Sequence, residues 1–171
     1  MIKPDLSDVP VFYKGYVENV KDLDLMDALQ QSSKIALTIF RNIPEDLGDY
    51  RYAEGKWSLK EVLNHMMDAE RIFAYRALRF SRNDKTPLAG FEENDYAPMA
   101  NASGRSVAQL ANEMERLRAT TIDLFSSFTP QMLRREGFAN NNKLSVLTLG
   151  FVIAGHETHH RKVIVERYLN K

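Results

Sequence analysis

The chain contains no cysteine. That excludes a disulfide framework, a thiolate nucleophile and a thiolate metal site, so any metal ion must be held by His, Asp, Glu or water. An excess of either charge is also missing: Lys plus Arg number 23 and Asp plus Glu 23 in 171 residues. Such a balance gives no electrostatic footprint for nucleic acid or for an anionic membrane, and neither is expected as a partner. No apolar run approaches the roughly 18 residues of a membrane span. The opening MIKPDLSDVPVFYKGY carries Asp and Pro early and lacks an apolar h-region, so it does not read as a signal peptide. A cytoplasmic location is the default expectation. Alternating apolar runs flanked by hairpin turns are scarce, which leaves little strand signal. Internal repeats, low-complexity tracts and long linkers are absent as well, and the length suits one domain with a sizeable core.

What remains is helical. Leu25, Leu29, Ala36 and Phe40 recur at helical spacing and predict a first helix from about Leu23 to Arg41, stopped by Pro44. In KWSLKEVLNHMMDAERIFAYRALRF, Ser58 and Glu61 form a capping box and Trp57 with Val62 a hydrophobic staple. That second helix should last until about Arg82. NDKTPLAGFEENDYAPMANASG reads as a long ordered loop, because Phe91 and Tyr96 call for burial. A third helix opens at the Ser106–Gln109 capping box and runs to about Phe128. Thr129-Pro130 then caps a short turn, EGFANNNK follows as a polar segment, and Ser145 caps the last helix. The economical architecture is an all-α four-helix bundle with a long loop between helices 2 and 3.

The chemistry-bearing residues are the four histidines, three of them in HETHH at 156–160. Advancing about 100° per residue places His156 and His160 in the middle of the apolar face of the last helix, with Leu149, Ile153 and Val163. Their Cβ atoms lie roughly 5–6 Å apart, close enough for both imidazoles to reach one ion. A lone core-facing histidine is usually structural; two, one turn apart, would each need a buried partner. His159 sits at the edge of the stripe, a surface or supporting residue. His65 lies near the core-facing stripe of the second helix. His65, His156 and His160 are therefore the simplest ligand set: three neutral imidazoles with an open position for water or substrate.

HETHH also matches the zinc-protease pattern H-E-x-x-H, but that class takes a third ligand well downstream, and only RKVIVERYLNK follows. A ferritin-like di-metal site needs two E-x-x-H motifs; Glu61 and His65 are four apart, the wrong spacing.

Taken together, GKWSLKEVLNHMMDAER, FAYRALRF, TPLAGFEENDYAP and GHETHHRKVIVERYL resemble the DinB/YfiT-like family of metal-dependent enzymes, from about residue 12 onward. The resemblance implies a single domain over 1–171, a four-helix bundle of unusual helix order on which residues 1–20 pack as an extension. It also implies one divalent ion, zinc or nickel, on His65, His156 and His160, and a homodimer. Characterised members include transferases and isomerases that use low-molecular-weight thiols such as bacillithiol or mycothiol, and others are described as hydrolases. The expected function is thus metal activation of a water or a small thiol, in a thiol S-transferase or hydrolase acting on a small-molecule substrate. The alternatives are a non-enzymatic metal or small-ligand binding bundle and a metal-free module. Glu157, Asp68, Glu92, Glu93 and Asp95 are candidates for supporting polar roles. Asp68, one turn after His65, is placed to orient a ligand, and Arg161 is expected in a surface or interhelix ion pair. The sequence names no general base.

Overall fold

The computed structural model describes residues 3–170; residues 1, 2 and 171 of the expected domain lie outside the described residues. Four long helices follow the expected boundaries closely: α2 (Leu25–Phe40), α3 (Leu59–Ser81), α5 (Val107–Ser126) and α7 (Val146–Val163). The shorter elements are α1 (Val11–Glu18), α4 (Glu93–Met99), α6 (Pro130–Leu133) and the strands β1 (Glu136–Ala139) and β2 (Asn142–Ser145). Beyond α7 the chain continues as a π-helical turn, Ile164–Leu169.

Helix α7 packs against both α2 and α3, and α5 also packs against both. The consecutive long helices α2 and α3 therefore lie across the bundle from each other, as do α5 and α7. In an ordinary up-and-down bundle, consecutive helices are neighbours. Here the chain crosses a diagonal twice, which gives the all-α four-helix bundle with an unusual order. The diagonal arrangement is what makes α3 and α7, the two histidine-bearing helices, adjacent.

Every residue of α7 from Val146 to Thr158 is buried. A helix enclosed on all sides needs no polar stripe, and this one has α1, α2 and α3 around it. Two glycines permit the close packing. Gly150 receives the side chains of Leu25 and Phe125, and Gly155 receives the backbone of α1: a Cβ there would stand 1.9 Å from the Tyr16 carbonyl oxygen.

Four features depart from the sequence reading: Tyr96, expected to be buried, is 48% exposed and only Phe91 is half-buried, and three segments fold differently. EGFANNNK is not an irregular polar segment: it folds into an antiparallel ribbon pairing Glu136 with Ser145 and Ala139 with Asn142. Its two-residue turn is Asn140-Asn141, with φ of 48° and 58°. Both values suit a type I′ hairpin, and asparagine tolerates that left-handed region better than most residues. The long loop after α3 contains α4, and Leu88 joins the ribbon as a parallel bridge to Ala139. Residues 11–18, read only as part of an extension, form the helix α1 and pack along α7. No helix among the described residues is long and apolar enough to cross a membrane.

Candidate metal centre

Helix α3 is fixed at its start. Ser58 Oγ accepts from Glu61 N at 3.2 Å and Glu61 Oε2 accepts from Ser58 N at 2.7 Å, completing the capping box. Arg51 clamps the same carboxylate through both terminal nitrogens, at 2.7 and 3.0 Å. With its first turn held, α3 presents His65 toward α7.

His156 and His160, one turn apart on α7, meet it. His65 Nε2 and His160 Nε2 each lie 3.1 Å from His156 Nε2, and the ligand atoms of all three histidines fall within 4.8 Å of one another. A ring nitrogen offers one in-plane position, occupied either by a proton or by a lone pair. Only one of the two contacts at His156 can therefore be a hydrogen bond. A single cation accepting all three lone pairs satisfies them together. Bonds of about 2.0–2.1 Å in a tetrahedral arrangement put the nitrogens about 3.3 Å apart, close to what is found. The residues present fit a divalent metal.

Burial prepares them for it. His65 and His156 are buried and His160 half-buried. Desolvation pushes His65 down to about 4. It pushes His160 to about 3, aided by His65 and His159, and holds His156 well below its ordinary value. Each imidazole is then neutral at pH 7, the form that binds a metal.

Aromatic rings surround the cluster. Trp57 packs on His65 at 4.8 Å between centroids, and Tyr16 meets His156 edge-on at 5.2 Å. Trp57 is held in turn by its carbonyl, which accepts from Tyr168 Oη at 2.7 Å. The π-helical turn that carries Tyr168 thus helps to seat one wall of the site. The histidines border a cavity of 140 Å³ whose other walls include Tyr13, Tyr16, Phe73, Arg76, Phe91 and Asn140.

The other candidate residues separate clearly. His159 is exposed, outside the cluster. Glu157, a candidate for a polar role, is buried and turned to Arg118, whose Nη2 lies 2.9 Å from its Oε2. Arg118 also forks onto Glu70, through Nε at 2.9 Å and Nη2 at 2.8 Å. Burial raises the Glu157 carboxyl and Arg118 opposes that rise. Asp68 accepts from Asn64 at 2.8 Å and pairs with Arg71 at 3.4 Å, and no bond joins it to His65. Glu92 caps α4 through Asn94 N, and Asp95 is exposed. Glu93 lines the cavity. Arg161 was expected in an ion pair; it acts on Glu157 only at longer range and forms no direct pair among the described residues.

The sequence reading missed Tyr13, Tyr16, Arg76 and Asn140 as cavity residues. The signal for the tyrosines was the aromatic cluster FYKGY, too short a stretch to show a helical period. Arg76 and Asn140 carried no local signal; the fold alone brings them in.

Solved structures share this fold, among them the following two. YfiT from Bacillus subtilis, described as a probable metal-dependent hydrolase with an unusual four-helix bundle topology, superposes with a TM-score of 0.69 at 15% identity, over 96% of this chain and 90% of that one. A mycothiol-dependent maleylpyruvate isomerase superposes with a TM-score of 0.67 at 12% identity, over 98% of this chain and 63% of that one. No curated protein matches the sequence. A family model for the DinB superfamily matches residues 28–164, a span that includes all four long helices apart from the first turn of α2. The chain belongs to the DinB superfamily.

Proposed function

We propose that this protein is a metal-dependent enzyme in which His65, His156 and His160 hold one divalent cation, zinc or nickel, and a water or low-molecular-weight thiol is activated for attack on a small electrophilic substrate. The observation that carries the reading is the convergence of three neutral imidazoles, from two adjacent helices, at the edge of an aromatic-walled cavity. A structural cluster of histidines would not need all three lone pairs to face one point. A divalent cation there supplies Lewis acidity, bringing the pKa of a water or thiol toward neutrality.

The chain's own residues do the rest. His65, His156 and His160 remain deprotonated because burial disfavours their charged forms. Trp57, Tyr16 and Phe73 pack around the imidazoles and limit the water that reaches them. The absence of cysteine leaves the protein no thiol of its own to compete with an external one. The thiol version has further support in the fold shared with a mycothiol-dependent isomerase, and the water version in the fold shared with a described hydrolase.

Metal content of untagged protein, wild type beside His160→Ala, tests the reading. The expected result is close to one ion per chain in the wild type and loss of that ion in the variant. No ion in either after incubation with zinc, nickel and manganese would end it. A screen pairing small thiols with electrophiles, run beside a hydrolysis screen, then decides which nucleophile is used.

A further inference from the structure

Among the described residues three cationic side chains are buried: Lys60, Arg76 and Arg118. Two of them have counterions. Lys60 Nζ lies 2.8 Å from Glu45 and 3.6 Å from Asp49, and Arg118 sits between Glu70 and Glu157. Arg76, only 2% exposed, has no carboxylate partner among the described residues. Its Nη2 donates to the Ala89 carbonyl at 3.0 Å, Tyr13 supplies a hydroxyl, and the guanidinium carbon lies 5.7 Å from the centre of the Phe73 ring. Those partners are uncharged, and a guanidinium carries five N–H donors. A buried charge without a counterion is expensive, and folded proteins ordinarily pair it.

Arg76 lines the same cavity as the three histidines. Glu93 also lies on that wall but makes no ion pair with it. The volume of 140 Å³ is close to that of a cavity of about 150 Å³ known to take benzene, so it suits a fragment of roughly six heavy atoms. A phosphoryl group would take four of those roughly six heavy atoms. A carboxylate leaves room for a short carbon chain, and its two oxygens match the fork of a guanidinium.

We propose that Arg76 is the anion anchor of this cavity, and that the substrate carries a carboxylate on a short acyl or alkyl fragment which the guanidinium holds while the reactive end faces the histidines. The assignment deepens the metal-dependent reading and rests on it for the identity of the reactive end. The binding of the carboxylate does not require the metal. Arg76 is a binding and specificity residue here: it supplies the missing counter-charge and selects against neutral analogues of equal size.

The test uses butyrate and butyramide, which have the same number of heavy atoms and differ in charge. Their affinities are measured by ligand-observed NMR titration on metal-free and on zinc-loaded protein, with zinc content determined on the same samples. Wild-type protein is expected to prefer butyrate by about tenfold or more in both forms, the range of one charge-assisted pair. Arg76→Met should reduce the preference to below about twofold while keeping its far-UV circular dichroism and bound zinc, and Arg76→Lys should fall between. Equal affinities in the wild type, a comparison that needs no variant, would overturn the proposal. So would a preference that survives in folded Arg76→Met, which would put the carboxylate on the zinc if it survives only in the loaded form and on another group if it survives in both. Zinc bound without a butyrate preference removes the Arg76 assignment alone. A butyrate preference in protein that takes up no zinc on loading removes the metal-dependent reading and keeps Arg76 as the anchor.

Discussion

At the scale of single residues, the site depends on an atom that is missing. Gly155, beside His156, has no Cβ, and the space is taken by the Tyr16 carbonyl group, 1.9 Å to oxygen and 2.5 Å to carbon from where a Cβ would stand. Backbone cannot swing aside as a side-chain tip can. Gly155→Ala must therefore lift α1 from α7, and a loss of about 1–3 kcal/mol in urea unfolding is expected from the overpacking. An unchanged midpoint would show that α1 yields freely. Arg118 poses the opposite problem, since removing it strands two buried carboxylates, Glu70 and Glu157. Arg118→Leu is expected to destabilise by about 3–5 kcal/mol in the same assay. A loss under about 1 kcal/mol would mean that the carboxylates find protons or water instead. The residue scale was also where sequence reading divided most sharply. His65, His156 and His160 could be picked out because helical spacing and a shared apolar face are local properties. The burial of Glu157 could not, because its partner Arg118 and the competing Glu70 stand on two other helices.

At the scale of elements, the start of α3 carries a testable dependence on pH. Burial alone would raise the Glu61 carboxyl, but Arg51 and the Ser58 amide outweigh it and leave it below its ordinary 4.5. As pH falls, the unfolded chain protonates Glu61 first. Its stabilising contribution is therefore complete above about pH 4.5 and is lost as pH drops through the lowered folded value. Glu61→Gln should be less stable than wild type by about 1 kcal/mol at pH 7, with the gap closing toward pH 3. A gap that persists at pH 3 would take the carboxylate charge out of the account. Such caps are why α3, α5 and α7 were legible: Ser58, Ser106 and Ser145 each accept from the backbone at the third helical residue. Helix α1 has no capping side chain, begins after Pro10 and spans only 8 residues, so neither cap nor period announced it. The ribbon was hidden by Asn140-Asn141, a turn pair less familiar than Asn-Gly but able to adopt the same backbone.

At the scale of the whole molecule, the proposed site joins parts of the chain 91 residues apart, His65 to His156. A cation bound there ties α3 to α7, and binding to the native state alone stabilises it by mass action. Zinc at a hundredfold excess over its dissociation constant is expected to add about 2.7 kcal/mol. For a chain of this length that is a rise in Tm of about 5–10 °C. Chelator should reverse the shift and His160→Ala should not show it; a variant that responds like the wild type would place the metal elsewhere. The helix order itself was not legible from periodicity, since four amphipathic helices pack equally well in several orders; the family resemblance pointed only to an unusual order, and the packing of α7 and α5 on both α2 and α3 shows which one. The packing of α1 has one more consequence. All three histidines lie inside the span that defines the family, residues 28–164, whereas Tyr13 and Tyr16, which wall the cavity, precede it. The proposed ligands and one side of the cavity wall thus come from separate parts of the chain, while Phe73, Arg76, Phe91 and Asn140 complete the wall from within the family span. A different leading helix, set against the same glycine, can change what the cavity admits without altering a single proposed ligand.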